Sequence, residues 1–205
     1  MITIVDYGMG NVGSIRNMLK KIGVPCATVT DPADLVEASK LILPGVGAFD
    51  AGMKRLEESG LIPALSDIVL EKKVPILGIC LGMQLMTQSS EEGTRSGLGW
   101  IGGRAVHFSK LPGIAGLKIP HMGWNAVEHR KLSQLTLGRD EEERFYFVHS
   151  YFVELASSQD GLMTTEYGSE FIAAFEVDNV FGVQFHPEKS QRFGLHLLKN
   201  FAEMH

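Results

Sequence analysis

Short β-branched runs alternate with helix-like stretches through the first half of the chain. That rhythm fits few arrangements other than a parallel sheet joined by crossover helices. Ile2–Val5 (ITIV) reads as a first strand, and residues 12–22 follow with Val12, Ile15, Leu19 and Ile22 spaced to line one helix face. Cys26–Val29 reads as a second strand, Asp31-Pro32 opens a short helix, and Leu41–Leu43 makes a third strand stopped by Pro44-Gly45. A helical pattern covers residues 49–70, with breaks expected near Gly60 and Pro63, and residues 75–79 form a buried strand that runs into Cys80. The second half changes character. Residues 104–108, 146–153, 163–167, 172–177 and 180–185 are expected as strands joined by turns, and residues 195–204 as a closing amphipathic helix. The expected class is α/β: an open, mixed, mostly parallel sheet flanked by helices. No repeat, low-complexity stretch or linker interrupts it, so residues 1–205 are expected to form a single domain large enough for a substantial core.

Charge and apolar runs exclude several partner classes. The chain carries a formal net charge of -5 and no basic block, so no nucleic-acid partner is expected. The densest charge run, RDEEER at 139–144, mixes both signs and reads as a solvated loop. No apolar run reaches the roughly 18 residues that span a bilayer. The amino terminus, MITIVDYG, lacks a basic region followed by a long apolar one, and a cytoplasmic protein without membrane contact is expected. Cys26 and Cys80 do not make a disulfide framework, so each thiol is either structural or reactive. No Cys/His cluster has zinc-ligand spacing, and neither metal nor cofactor is expected.

Three segments at element ends carry chemistry. Gly78-Ile79-Cys80-Leu81-Gly82 lies between a strand and a helix pattern and has the form of a nucleophile elbow, with cysteine in the place of serine. A helix start just beyond it favours a thiolate, and the N–H of Leu81 is placed to donate to an oxyanion. By itself the pentapeptide leaves a buried structural cysteine equally open. FGVQFHPEKS supplies the matching base: Pro187 holds His186 extended, and in an extended segment Glu188 faces the same side, where it can orient the imidazole. LPGVGAF follows the third strand, so its loop reaches the carboxyl edge of the sheet, where the N–H groups of Val46 and Gly47 can complete an oxyanion hole. DYGMGN has a G-x-G after a strand but lacks the third glycine of a dinucleotide fingerprint, because Gly13 comes one residue early.

Together, PGVGAF, GICLGMQ and QFHPEKS resemble the class I (triad) glutamine amidotransferases. DYGMGN, IPHMGWN and YFVHSY narrow the resemblance to the glutaminase subunits of imidazole glycerol phosphate synthases. The resemblance implies a flavodoxin-like three-layer fold, Cys80 as nucleophile, His186 as general base and then acid, and Glu188 as its orienter. It further implies that Gly45 and Gly47 line the glutamine site, that Gln84 contacts the substrate, and that the Ser150-Tyr151 backbone holds its amino-acid end. The implied partner is a (β/α)8-barrel cyclase subunit in a heterodimer, with Asn11, Trp124 and Lys189 at the docking face. The peptide of Val46, between two glycines, is expected to reorient when partner and ligand bind. Two other readings stay open on the residues alone: the glutaminase of another biosynthetic complex, and a non-catalytic regulatory subunit. The segment 132–143 is the least family-specific part.

Overall fold

A computed structural model describes residues 1–35, 37–138 and 142–204. The repeating half supplies four strands, β1 (Ile2–Val5), β2 (Cys26–Val29), β3 (Leu41–Leu43) and β4 (Ile76–Ile79), all parallel in the spatial order β2-β1-β3-β4. Their side chains alternate between two cores. Ile2, Ile4, Ile42, Leu77 and Ile79 enter one, and Val5, Leu41, Leu43 and Ile76 the other. In β1, β3 and β4 both faces are buried, which is why these strands read as nearly continuous apolar runs, whereas β2 is an edge strand with Thr28 exposed.

Helices complete the outer layers. The first core is covered by α1 (Val12–Lys21) through Ile15 and Leu19, together with the last helix. The second is covered by α2 (Phe49–Glu58), α3 (Leu61–Ser66) and the short α4 (Leu81–Leu85). The pattern over 49–70 breaks only at Gly60, whose φ of 70° suits glycine. Pro63, expected as a second break, is the third residue of α3, where an N–H has no intrahelical partner to lose; the chain runs through it into a wider turn at Asp67–Glu71.

The second half contributes β5 (Ser89–Ser90), β6 (Gly103–His107), β7 (His121–Ala126), β8 (Glu128–His129), β9 (Arg144–His149), β10 (Tyr151–Leu155), β11 (Gly161–Tyr167), β12 (Ser169–Val177) and β13 (Val180–Val183), followed by α5 (Gln191–Glu203). β13 returns parallel to β4, and β12, β10 and β6 extend the sheet antiparallel. β7 and β9 form a separate antiparallel ribbon with His121 opposite His149 and Trp124 opposite Tyr146.

The sheet therefore matches the mixed, mostly parallel α/β expectation, with two local corrections. Residues 146–153 are two strands and not one: at Ser150 the chain leaves the ribbon for the main sheet, and the Ser150 carbonyl accepts the N–H of Phe108 at 3.0 Å. Of RDEEER, residues 139–141 lie outside the described residues, and the remainder is only partly solvated: the Glu142 and Arg144 side chains are exposed and pair with each other, while Glu143 is buried. Arg144 opens β9, and buried Glu143 meets His129 at 2.7 Å while its carbonyl accepts the N–H of Val127. Within 132–138, Leu135 and Thr136 are buried in a short turn, and Asn200 of α5 donates to the carbonyls of Leu135 and Leu137. Among the described residues, no helix is long and apolar enough to cross a membrane.

Candidate active site

Cys80 sits between β4 and α4 with φ 53° and ψ -109°, a strained conformation for a residue with a side chain. Its N–H donates to the Val183 carbonyl at 2.8 Å, so β13 holds the turn from the side. The flanking glycines are steric requirements. A methyl on Gly82 would lie 1.9 Å from the Leu43 carbonyl oxygen, and one on Gly78 would lie 2.8 Å from the Met83 nitrogen. Gly45 is equally constrained, since its Cβ would meet the Gly82 nitrogen at 2.7 Å and the Tyr7 hydroxyl at 2.9 Å. Tyr7 donates that hydroxyl to the Pro44 carbonyl at 2.8 Å, which pins the start of the PGVG loop beside the elbow. Beyond the pin, Val46 is 42% exposed and Gly47 has φ 103°. α4 is only five residues long, so its dipole is smaller than the sequence pattern suggests.

His186 arrives from the end of β13, extended at φ -103° and ψ 96° as Pro187 requires. Glu188 reaches it by a different route from the expected one. Pro187–Lys189 is a single 3-10 turn, not an extended segment, and it folds Glu188 back so that Oε1 lies 2.8 Å from His186 Nδ1 with both side chains buried. The turn closes through the Lys189 N–H and the Ser190 hydroxyl, both donating to the His186 carbonyl. Ser190 Oγ in turn accepts the Tyr146 N–H at 3.0 Å, and the Tyr146 carbonyl accepts the His186 N–H, tying the histidine to the ribbon. The imidazole and the Cys80 sulfur meet in one cavity, which both residues line.

A cavity of about 470 Å³ opens over this group, lined by Val46, Gly47, Cys80, Leu81, Gln84, Glu92, Val148, His149, Ser150, Tyr151, His186 and Lys189. A larger hollow beside α1, about 630 Å³, contains Cys26, Arg16 and Lys20 but no histidine or carboxylate in its lining. Gln84 donates both amide hydrogens inward, to the Tyr151 carbonyl at 3.2 Å and to Gln184 Oε1 at 3.0 Å, so Oε1 is the group it can offer a ligand. Glu92 accepts the N–H of Phe49, the first residue of α2, at 2.8 Å. Glu92, Gln184 and Tyr7 escaped the sequence reading. Gln184 stands two positions before His186, but nothing in its local pattern marks it.

Behind the cavity lies a buried histidine pair. His149 Nδ1 donates to the Tyr151 carbonyl at 2.6 Å, which leaves its Nε2 to accept from His121 Nδ1 at 3.1 Å. Burial pushes His121 down to about 4 and His149 down to about 3. For His186, burial also disfavours the charge, yet hydrogen bonds to Cys80 and Glu188 and their charges prevail and raise it to about 10. The signs oppose one another. A histidine raised above its unfolded value of 6.5 adds stability that is complete below that pH and disappears as pH climbs through 10. The lowered pair adds stability that is complete above 6.5 and disappears as pH falls through 4 and 3. The thermal midpoint is therefore expected to peak near about pH 6.5, with Glu188→Gln flattening only the alkaline limb; a limb unchanged in that variant would show that Glu188 does not hold the imidazolium.

Of the three residues expected at a docking face, Lys189 lines the cavity, while Trp124 and Asn11 are not in its lining. Trp124 is 45% exposed and meets Tyr146 edge-on at 6.4 Å, and Lys189 Nζ lies over the same Tyr146 ring at 5.5 Å. Asn11 is half-buried at the start of α1. Met122, 61% exposed, adds an apolar side chain to the ribbon.

The family model described as glutamine amidotransferase class-I matches residues 3–204. The chain is 54% identical over 203 residues, 99% of either chain, to imidazole glycerol phosphate synthase subunit HisH 2 of Methanococcus maripaludis. It is 48% identical over 204 residues, the whole of both chains, to imidazole glycerol phosphate synthase subunit HisH of Bdellovibrio bacteriovorus. Among solved structures, a glutamine amidotransferase covering 98% of both chains superposes with a TM-score of 0.75 at 17% identity. PurLQS from Thermotoga maritima, covering 98% of this chain and 96% of the other, gives 0.73 at 20%. At such identities these two structures speak to the fold alone.

Proposed function

The chain belongs to the class I glutamine amidotransferase family, and from that premise we propose that it is the glutaminase subunit of an imidazole glycerol phosphate synthase, working as one domain over its whole length. The observation that carries this reading is the Cys80–His186–Glu188 group at the carboxyl edge of the sheet, with Cys80 and His186 lining a cavity of about 470 Å³.

Cys80 Sγ attacks the side-chain amide carbon of glutamine. The carbonyl oxygen becomes an oxyanion, for which the N–H groups of Leu81, Val46 and Gly47 are the donors. His186 then gives its proton to the departing nitrogen as the C–N bond breaks, leaving a glutamyl thioester and ammonia. Water, deprotonated by the now neutral His186, attacks the thioester; Cys80 leaves as thiolate and glutamate is released. Glu188 on Nδ1 keeps the ring facing the sulfur in both halves. Gly45 and the Ser150-Tyr151 segment shape the substrate site, Gln84 contributes Oε1, and the carboxylate of Glu92 is the group suited to the substrate ammonium.

Ammonia released into water would be protonated and lost, so the product needs a partner that consumes it: the cyclase subunit. We take that partner to be a (β/α)8 barrel in a heterodimer, with Asn11, Trp124 and Lys189 as its docking residues, and the assembly to be cytoplasmic. Trp124→Ala is expected to weaken the complex by about 2 kcal/mol, roughly 30-fold in Kd, while leaving the unfolding midpoint nearly unchanged; unaltered affinity by calorimetry would remove Trp124 from the interface. The function itself is tested by supplying the chain with a purified cyclase subunit, its nucleotide substrate and glutamine. Imidazole glycerol phosphate is expected; its formation from ammonium salts but never from glutamine would overturn the assignment.

A further inference from the structure

We propose that Gln184 is part of the active site: its side-chain amide holds the Cys80 sulfur as a hydrogen-bond donor, aimed by a relay of fixed polarity that starts at the Tyr151 carbonyl. This inference rests on the glutaminase reading and adds a residue to it.

The polarity follows from groups that have only one role. A backbone carbonyl can only accept, so the end of Gln84 that lies 3.2 Å from the Tyr151 oxygen is its NH2. The second hydrogen of that NH2 points to Gln184 at 3.0 Å, which must answer with Oε1. The opposite end of the Gln184 amide, Nε2, is then the end that faces Cys80 Sγ, at 3.7 Å. Flipping Gln184 would set two NH2 groups against each other and turn an oxygen to the sulfur. The relay is also rigid. Gln184 is fully buried, its backbone N–H is bonded to the Ala173 carbonyl at 2.8 Å, and the Tyr151 carbonyl takes a second bond from His149.

The main chain brings the two residues together for a reason visible in the sheet. β4 and β13 are parallel with Ile79 in register with Val183, so Cys80 and Gln184 leave adjacent strands side by side. Sulfur thus has an imidazolium on one flank and a carboxamide on the other. A thiolate only accepts, and a neutral donor favours it over the thiol without adding a charge that substrate would have to displace. In the thioester the sulfur carries no charge, so the same donor favours the return to thiolate when glutamate departs.

Alkylation of Cys80 by iodoacetamide in the full-length chain, followed from about pH 5 to about pH 10 by mass spectrometry, reads thiolate formation without glutamine turnover. Gln184→Met conserves volume and leaves Gln84 its bond to Tyr151. The pH midpoint of the alkylation rate is expected to rise by about one unit, making alkylation roughly tenfold slower below it. Gln184→Glu, which keeps the shape of the amide, is expected to rise further and decides the matter if the methionine variant does not fold. Profiles superimposable on the wild type in the folded variants overturn the proposal. A wild-type Cys80 that alkylates no faster than a free thiol at any pH would instead count against the glutaminase reading, so the two failures are distinguishable.

Discussion

Cys80→Ala is expected to lose glutamine hydrolysis altogether while synthesis from added ammonia, in complex with the cyclase, continues at its normal rate. Every covalent step passes through the sulfur, and nothing else in the cavity lining can form the thioester. Loss of a nucleophile from a triad typically costs a factor on the order of 10⁶ in kcat. The substitution should leave the fold standing, because alanine and cysteine face the same strain at φ 53° and the elbow is held by the backbone bond to Val183 and by the glycines on either side. Glutamate release and ammonia-driven product formation, measured on the same preparation, separate the two activities. Residual hydrolysis within tenfold of the wild type would move the nucleophile elsewhere.

The second large effect concerns the fold that carries the elbow. Gly82→Ala places a methyl 1.9 Å from the Leu43 carbonyl, and because both contacting groups are main chain, β3 and the elbow must separate to admit it. We expect a loss of more than about 3 kcal/mol and a fall of roughly 10 °C in the thermal midpoint. Gly13→Ala is the control. It lies within α1 with open space around its Cα, so it should be neutral or stabilising by up to about 1 kcal/mol. Equal midpoints for the two variants would mean that the close approach at Gly82 is relieved by small shifts.

What could be read from the sequence depended on whether a constraint was local. The strands β1, β3 and β4 announce themselves because burial on both faces demands apolar runs, and the elbow and the His186 segment because glycines and a proline mark element ends. β7 carries no such signal, since HMGWNA contains no β-branched residue, and it becomes a strand only by pairing with β9. The break at Ser150 is likewise set by which sheet each flank joins. The proline and the two-residue spacing identify the His186–Glu188 pair, although the carboxylate reaches the imidazole through a turn and not along a strand. Gln184 carries no local signal at all, as its role depends on Gln84, 100 residues earlier in the chain. Tyr7, Glu92 and the His121–His149 pair are of the same kind: their partners lie far away in sequence, so they are identified by contact alone.

The most direct test of Cys80 as the glutamine-activating nucleophile is to treat the chain, in complex with a cyclase subunit and its nucleotide, with 6-diazo-5-oxo-norleucine, an electrophilic glutamine mimic, and to locate the adduct by peptide mass spectrometry. One adduct is expected, on Cys80, with excess glutamine protecting against it and Cys26 unmodified. An adduct on Cys26, or none on Cys80 while the same preparation still hydrolyses glutamine, would contradict the account.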